Sequence, residues 1–284
     1  MADTPEVAAW IESISPKDSL SKSKIVILRQ GKPFSFDTSR MMTELKSGDR
    51  ILINDSHVYL SLLTSTGRLR VTADIAKKDG YEINASPNSV WRNLVALVTD
   101  KIKPGQTQAI SGSTRGGCLQ PEEINFPSIP ADQTEAPKMA AGERALHFIW
   151  QCGKAPYRLS IVQNDKALNE IKVTEGFEAT LPKQTLKPGT YKLVLSDKKG
   201  QAQPPYGNAY VTENLILVDP ADVPPMPAEL AQSSLPEETK QLLYADWLAR
   251  QGKGEWSMEA IQQVFPYAKD YEPAANWLRQ WGGK

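Results

Sequence analysis

The sequence predicts a mainly β protein: two antiparallel β modules, a meander or small barrel and then a compact sandwich, followed by a C-terminal helical appendage. Three observations predict it. Short β-branched and aromatic runs recur between Gly-, Asn- and Asp-containing turns, about ten residues apart, over 24–88 and again over 144–218. A Gly- and Pro-rich stretch, 105–143, separates the two sets. Beyond Pro220, Pro224, Pro225 and Pro227 the apolar residues take up helical spacing.

In residues 1–23, Thr4 offers an N-cap and Pro5 a first helical position, and Val7, Ala8, Trp10, Ile11 and Ile14 follow at helical spacing. A short first helix and a polar linker are predicted. The module at 24–104 opens with the strand Lys24 to Leu28, bounded by Gly31 and Pro33. Strands over 49–53, 57–63, 68–73 and 81–85 are separated by Asn54-Asp55-Ser56, Ser65-Thr66-Gly67 and Lys78-Asp79-Gly80, which are hairpin-type turns. Ser89 then caps a helical pattern that Pro104-Gly105 stops, and this helix is expected to pack on the sheet.

Residues 105–143 carry few periodic apolar positions and read as a linker. From 144 to 219 about seven short strands of a sandwich are predicted, among them 145–150, 157–162, 170–173, 177–181, 189–195 and 210–218, with Trp150 as its buried aromatic. In 220–284 the prolines end the sandwich, and three short amphipathic helices start near Glu237, Ser257 and Ala274.

Composition narrows function more by exclusion. Thirty-three basic residues balance thirty-three acidic ones. There is thus no whole-chain field to drive nucleic-acid or anionic-membrane binding; no nucleic-acid partner is expected, and a local patch stays open. No apolar run is long enough for a transmembrane segment, and residues 1–10 lack the basic start and apolar core of a signal peptide. The chain is expected in the cytoplasm as it stands, or in the periplasm or cell envelope if a leader or anchor was trimmed.

Cys118 and Cys152 have no metal-ligand spacing. They are read either as two unpaired thiols, the plainer alternative, or as a disulfide closing a loop of about 34 residues and contributing about 3–4 kcal/mol. His57 and His147 are expected to be sheet residues rather than bases; a His147 and Cys152 dyad is opposed by an odd separation, which sends strand neighbours to opposite faces. The adjacent pairs Glu122-Glu123 and Glu237-Glu238 read as loop and helix-start charges. No catalytic residue, cofactor or metal site is expected.

Two segments carry interaction signals. Ser113, Thr114, Arg115, Gly116 and Gly117 form a small-residue loop suited to recognition or proteolytic cleavage. Trp247, Trp256, Trp277 and Trp281 stand in an aromatic-rich tail, and such residues build cores or interface hot spots.

The first module resembles a FecR-type domain in Ile25 to Gly31, in Leu45-x-x-Gly48-Asp49-Arg50-Ile51, in Val58 to Leu63, in Gly67 and in Tyr81 to Pro87. It departs from that family in having Ser65-Thr66-Gly67 where an Asp-Gly turn is usual. The second module resembles immunoglobulin-like or fibronectin-like sandwiches in Phe148-Ile149-Trp150, Ala155 to Leu159 and Leu186-x-Pro188-Gly189-x-Tyr191-x-Leu193. The resemblance implies a non-enzymatic regulator or scaffold of a bacterial signalling system, binding a protein partner such as a protease or signalling regulator. Two alternatives stand beside it: a protease substrate or adaptor cut within 105–143, and a carbohydrate-binding or hydrolytic envelope protein.

Overall fold

A computed structural model describes residues 7–36, 42–76, 79–84, 89–99, 124–129, 136–198 and 209–282. The chain divides into two units. Unit 1 takes Met1–Asp100, Met226–Leu243 and Tyr267–Trp277; unit 2 takes Lys101–Pro225, Tyr244–Pro266 and Leu278–Lys284. The segment expected as a separate C-terminal appendage is therefore shared out between the units.

Unit 1 contains two four-stranded sheets. One has the order β4 (Thr43–Lys46), β1 (Val7–Ser15), β6 (Tyr59–Thr64), β7 (Gly67–Thr72); the other has β3 (Lys32–Phe34), β2 (Ile25–Arg29), β5 (Arg50–Ile53), β8 (Tyr81–Glu82). Their facing sides share a core that includes Ile11, Ile27, Leu45, Ile51, Leu60 and Val71. The expected meander is corrected here. Successive strands β5 and β6 lie in different sheets, and the two sheets stay separate instead of closing into a barrel.

The predicted first helix is also corrected: Val7–Ser15 is the strand β1, paired on both sides. Its partners run Val7↔Lys46 then Ala9↔Leu45, and Ile11↔Leu62 then Ser13↔Ser61, so Ala8 and Glu12 are bulge residues. Two bulges in nine residues break the two-residue alternation, and what remains mimics helical spacing.

The Leu45 to Ile51 motif is a corner between sheets. Gly48 turns it with φ +85°, and Gly48 N–H and Ile83 N–H donate to Ile83 and Asp49 carbonyls, each at 2.8 Å. The Asp49 carboxylate, 1% exposed, accepts from Arg29 Nη2 at 2.7 Å, Arg29 Nε at 3.0 Å and Lys46 N–H at 2.8 Å. An acid at this position thus ties β2 to the corner. Three short helices complete the N-terminal part: α1 (Ser19–Ser23), α2 (Ala73–Ala76) and α3 (Ser89–Thr99), the last bringing Trp91 to 4.7 Å from the Trp10 ring.

Unit 2 pairs β10 (Gly142–Ile149) with β13 (Glu178–Leu186). Facing them is a five-stranded sheet in the order β12 (Lys166–Val173), β11 (Tyr157–Gln163), β14 (Gly189–Ser196), β15 (Ala209–Val218), β9 (Lys138–Ala140). All pairings are antiparallel except β15 with β9. Trp150 is fully buried, edge-on to Tyr157 at 5.3 Å, and Tyr191 Oη donates to the Lys187 carbonyl at 2.8 Å. The linker reading is corrected for its later part. Ile124, Phe126, Ile129 and Met139 enter this core, and β9 and the start of β10 lie within 105–143. Ile124, Phe126 and Ile129 arrive singly from irregular chain and Met139 from a three-residue strand, so no periodicity announces them.

Among the described residues four α-helices follow the last strand, with short 3-10 turns between them: α4 (Ala228–Ala231), α5 (Glu237–Leu248), α6 (Ser257–Val264) and α7 (Glu272–Gly282). Among the described residues no helix is long and apolar enough to cross a membrane.

Candidate functional site

Among the described residues, and besides the Asp49 corner, each unit gathers a cluster of polar groups around a buried glutamate. In unit 1 the bulge at Glu12 aims its carboxylate, 8% exposed for the residue, at Arg68 of β7. Arg68 Nε and Nη2 each donate to it at 2.6 Å, and Ser61 Oγ donates at 2.8 Å. Arg68 Nη2 also reaches Glu238 in the first turn of α5 at 2.9 Å. The Glu12 hydrogen bond, with help from Glu238, raises the Arg68 pKa against the opposing effect of burial. Tyr271 lies on Thr239 at 3.0 Å, and burial, reinforced by the Glu12 charge, pushes its phenol pKa up. A strand acid, a strand base and groups from the C-terminal helices are thereby held as one unit. A cleft of about 310 Å³ opens beside Glu12, where Lys17 pairs with Glu272 at 3.4 Å.

In unit 2 the cluster sits on sheet edges. Glu259 of α6 is fully buried and accepts from Ala140 N–H of β9 at 2.9 Å, from Arg144 Nη1 of β10 at 3.0 Å and from Gln263 Nε2 at 2.6 Å. One turn on, Gln262 Oε1 accepts from the His147 N–H and its Nε2 donates to the His147 carbonyl, both at 2.7 Å. The side-chain amide pairs with β10 as a neighbouring strand would. Lys138 N–H donates to the Glu255 carbonyl at 2.7 Å. Helix α6 and the residues before it therefore satisfy open-edge backbone groups of both sheets.

The other two edges of unit 2 are blunted by different means. On β12 the pairing steps from Ile161↔Asn169 to Val162↔Ala167, which makes Leu168 a bulge residue, and exposed lysines flank it. On β13 a shift between Gln184 and Leu181 coincides with Pro182 and Lys183. Proline removes a donor and lysine resists burial, so neither edge invites a further strand.

His147 is 4% exposed, stacked at 3.5 Å and 13° on Phe265, with Nδ1 at 3.0 Å from Thr180 Oγ1. Burial lowers its pKa to about 4, so at neutral pH the imidazole is uncharged. Its Nε2 lies 3.5 Å from Glu178 Oε2, beyond good hydrogen-bond geometry, and this contact becomes an ion pair only on protonation. Cys152 is disulfide-bonded, so it holds no thiolate and a dyad with His147 is ruled out. That finding also departs from the reading of two unpaired thiols. The chain's other cysteine, Cys118, lies outside the described residues, as do Ser113, Thr114, Arg115, Gly116, Gly117 and the pair Glu122-Glu123. His57 is exposed in the turn before β6, its N–H on Asp55 Oδ1 at 2.9 Å.

Of the two readings of the tail aromatics, core or interface, burial favours the core for three of the four tryptophans. Trp256, Trp277 and Trp281 are 5%, 2% and 4% exposed, and a side chain without accessible surface offers a partner no contact area. Trp247 is half-buried and stacks on Tyr244 at 6.1 Å. The groups that sequence reasoning missed are Glu12, Arg68, Arg144, Glu259 and Gln262. Only Glu12 left a trace, as an acid among apolar neighbours. Among the described residues, no three His, Cys, Asp or Glu side chains are grouped to hold a metal ion. No family model, curated protein or solved structure matches the chain.

Proposed function

We propose that the protein is a non-enzymatic binding scaffold of a bacterial cell-envelope signalling system, built from a FecR-like module and an immunoglobulin-like sandwich. The observation that carries the reading is the use made of buried charge. Glu12, Asp49 and Glu259 are each engaged by an arginine together with backbone or side-chain donors that join different elements. Carboxylates ion-paired and hydrogen-bonded in this way position strands and helices, a use that supports a structural reading.

The sandwich reading draws support from strand order. Two strands facing five, with β9 parallel to β15, correspond to the B–E and C′–C–F–G–A′ sheets of immunoglobulin-like domains. The Tyr191 hydroxyl on the Lys187 carbonyl matches the tyrosine corner at the start of strand F. Fold alone does not assign a function. The disulfide at Cys152 supports an oxidising compartment such as the periplasm.

Crosslinking in the native host, followed by reconstitution with purified components, tests the scaffold reading. Saturable binding of an envelope regulator or protease to the folded chain is the expected result. Catalytic turnover by the purified chain, or a polysaccharide as the sole reconstituted ligand, overturns it.

A further inference from the structure

A cleft of about 540 Å³ lies within unit 2. Pro220, Val223 and Pro225 line it on the side of the proline-rich segment, and Ala141, Arg144 and Tyr244 line it from the sheet edge and α5. The segment is anchored by Tyr244 Oη, which donates to the Pro224 carbonyl at 2.6 Å. Prolines, an alanine and a tyrosine held in this way form an apolar surface that loses little entropy when covered.

One charged group in the cleft has capacity left. Arg144 places only Nη1 on Glu259, at 3.0 and 3.1 Å from its two oxygens. Its Nε and Nη2 donors have no partner among the described residues, and the side chain is 22% exposed. A guanidinium presenting Nε and Nη2 side by side matches the two oxygens of a planar carboxylate. Glu259 selects among anions. Its charge is already answered by Arg144, Ala140 N–H and Gln263, so one further negative charge is tolerated while a phosphate dianion meets repulsion from a fully buried carboxylate.

We propose that this cleft binds the free C-terminus of a short apolar peptide, with the carboxylate on the Nε and Nη2 edge of Arg144 and the preceding side chains against the proline segment and Tyr244. The inference goes beyond the scaffold reading, since it concerns a peptide ligand for one cleft, and its failure leaves that reading standing.

Isothermal titration of the full chain with acetyl-Pro-Ala-Leu as the free acid tests it, alongside the same peptide as its C-terminal amide and acetyl-Pro-Glu-Leu amide. The free acid is expected to bind saturably, with the amide at least about tenfold weaker. Equal binding of acid and amide, binding of the glutamate peptide alone, or no saturation by about 10 mM each overturns the proposal. Arg144→Lys keeps a positive charge beside Glu259 but removes the fork, and is expected to weaken the acid about tenfold. Ala221→Trp narrows the cleft from the exposed proline segment and leaves the Arg144 side chain unsubstituted, and its failure to reduce binding also overturns the assignment.

Discussion

Unit 1 and unit 2 each bury a carboxylate against an arginine, but they place the pair differently. In unit 1 the acid Glu12 belongs to a central strand and the cluster lies on the face of a sheet, where Glu238 of α5 and Tyr271, just before α7, complete it. In unit 2 the acid belongs to a helix and the cluster lies on strand edges, where it replaces hydrogen bonds that another strand would make. A face cluster resists loss of helix packing; an edge cluster resists gain of unwanted strand pairing. The same ion pair therefore guards against opposite failures.

Removing the C-terminal helices probes both at once and carries the largest expected effect. A chain ended after Val218 lacks Glu238, Tyr271, Glu259 and Gln262, and it is expected to lose cooperative thermal unfolding altogether. A folded truncate with an intact near-ultraviolet spectrum would restore the appendage view of the tail. Next come the arginines. Arg144→Met leaves the fully buried Glu259 short of its cation and is expected to cost about 3–5 kcal/mol in urea unfolding. Arg68→Met is expected to cost nearer about 3 kcal/mol, because Arg68 is 40% exposed and Glu12 keeps Ser61. Equal costs would erase the distinction between face and edge.

Gln262→Leu keeps the volume but strips both partners from the His147 backbone, at about 2–4 kcal/mol. Its sharper signature is qualitative: the His147 amide should exchange faster and the variant should self-associate, whereas Arg68→Met should not. Light scattering at matched stability separates the two.

The pH response of His147 is smaller and confined to acid. Its folded pKa of about 4 lies below that of the unfolded chain, so unfolding takes up a proton between about pH 6.5 and 4. Stability from this group is complete above that window and declines as pH falls through it, by at most about 3 kcal/mol. His147→Phe keeps the stack on Phe265, and its unfolding free energy should fall less steeply than wild type over the same range. The smallest effect is expected for the exposed pair Arg50 and Glu82, at 53% and 49% exposure, where Arg50→Ala should change stability by less than about 1 kcal/mol.

Much of the local architecture was legible from residues alone. Thr64-Ser65-Thr66-Gly67 closes the β6–β7 hairpin where the turn chemistry pointed, and of the about seven strands expected between 144 and 219 the structure has six, each overlapping a segment named from the residues. What sheet each strand joins was not legible, because the corner at Gly48-Asp49 is stabilised by Arg29, twenty residues away. Val7–Ser15 carries helical spacing because bulges at Ala8 and Glu12 erase the alternation of a strand paired on both sides. The polar clusters were less legible still. Gln262 meets His147 across 115 residues, and an isolated glutamine on an amphipathic helix carries no mark of the backbone it will cap.

That long separation has a consequence for synthesis. The strands of unit 2 are all translated by Val218, yet the amide that seals β10 emerges only with Gln262. At about 5–20 residues per second the nascent sandwich carries an unsealed edge for several seconds. Mispairing of neighbouring chains on a polysome is therefore most probable in that interval, and slowing translation between 219 and 262 should lower the soluble yield more than an equal pause before β9.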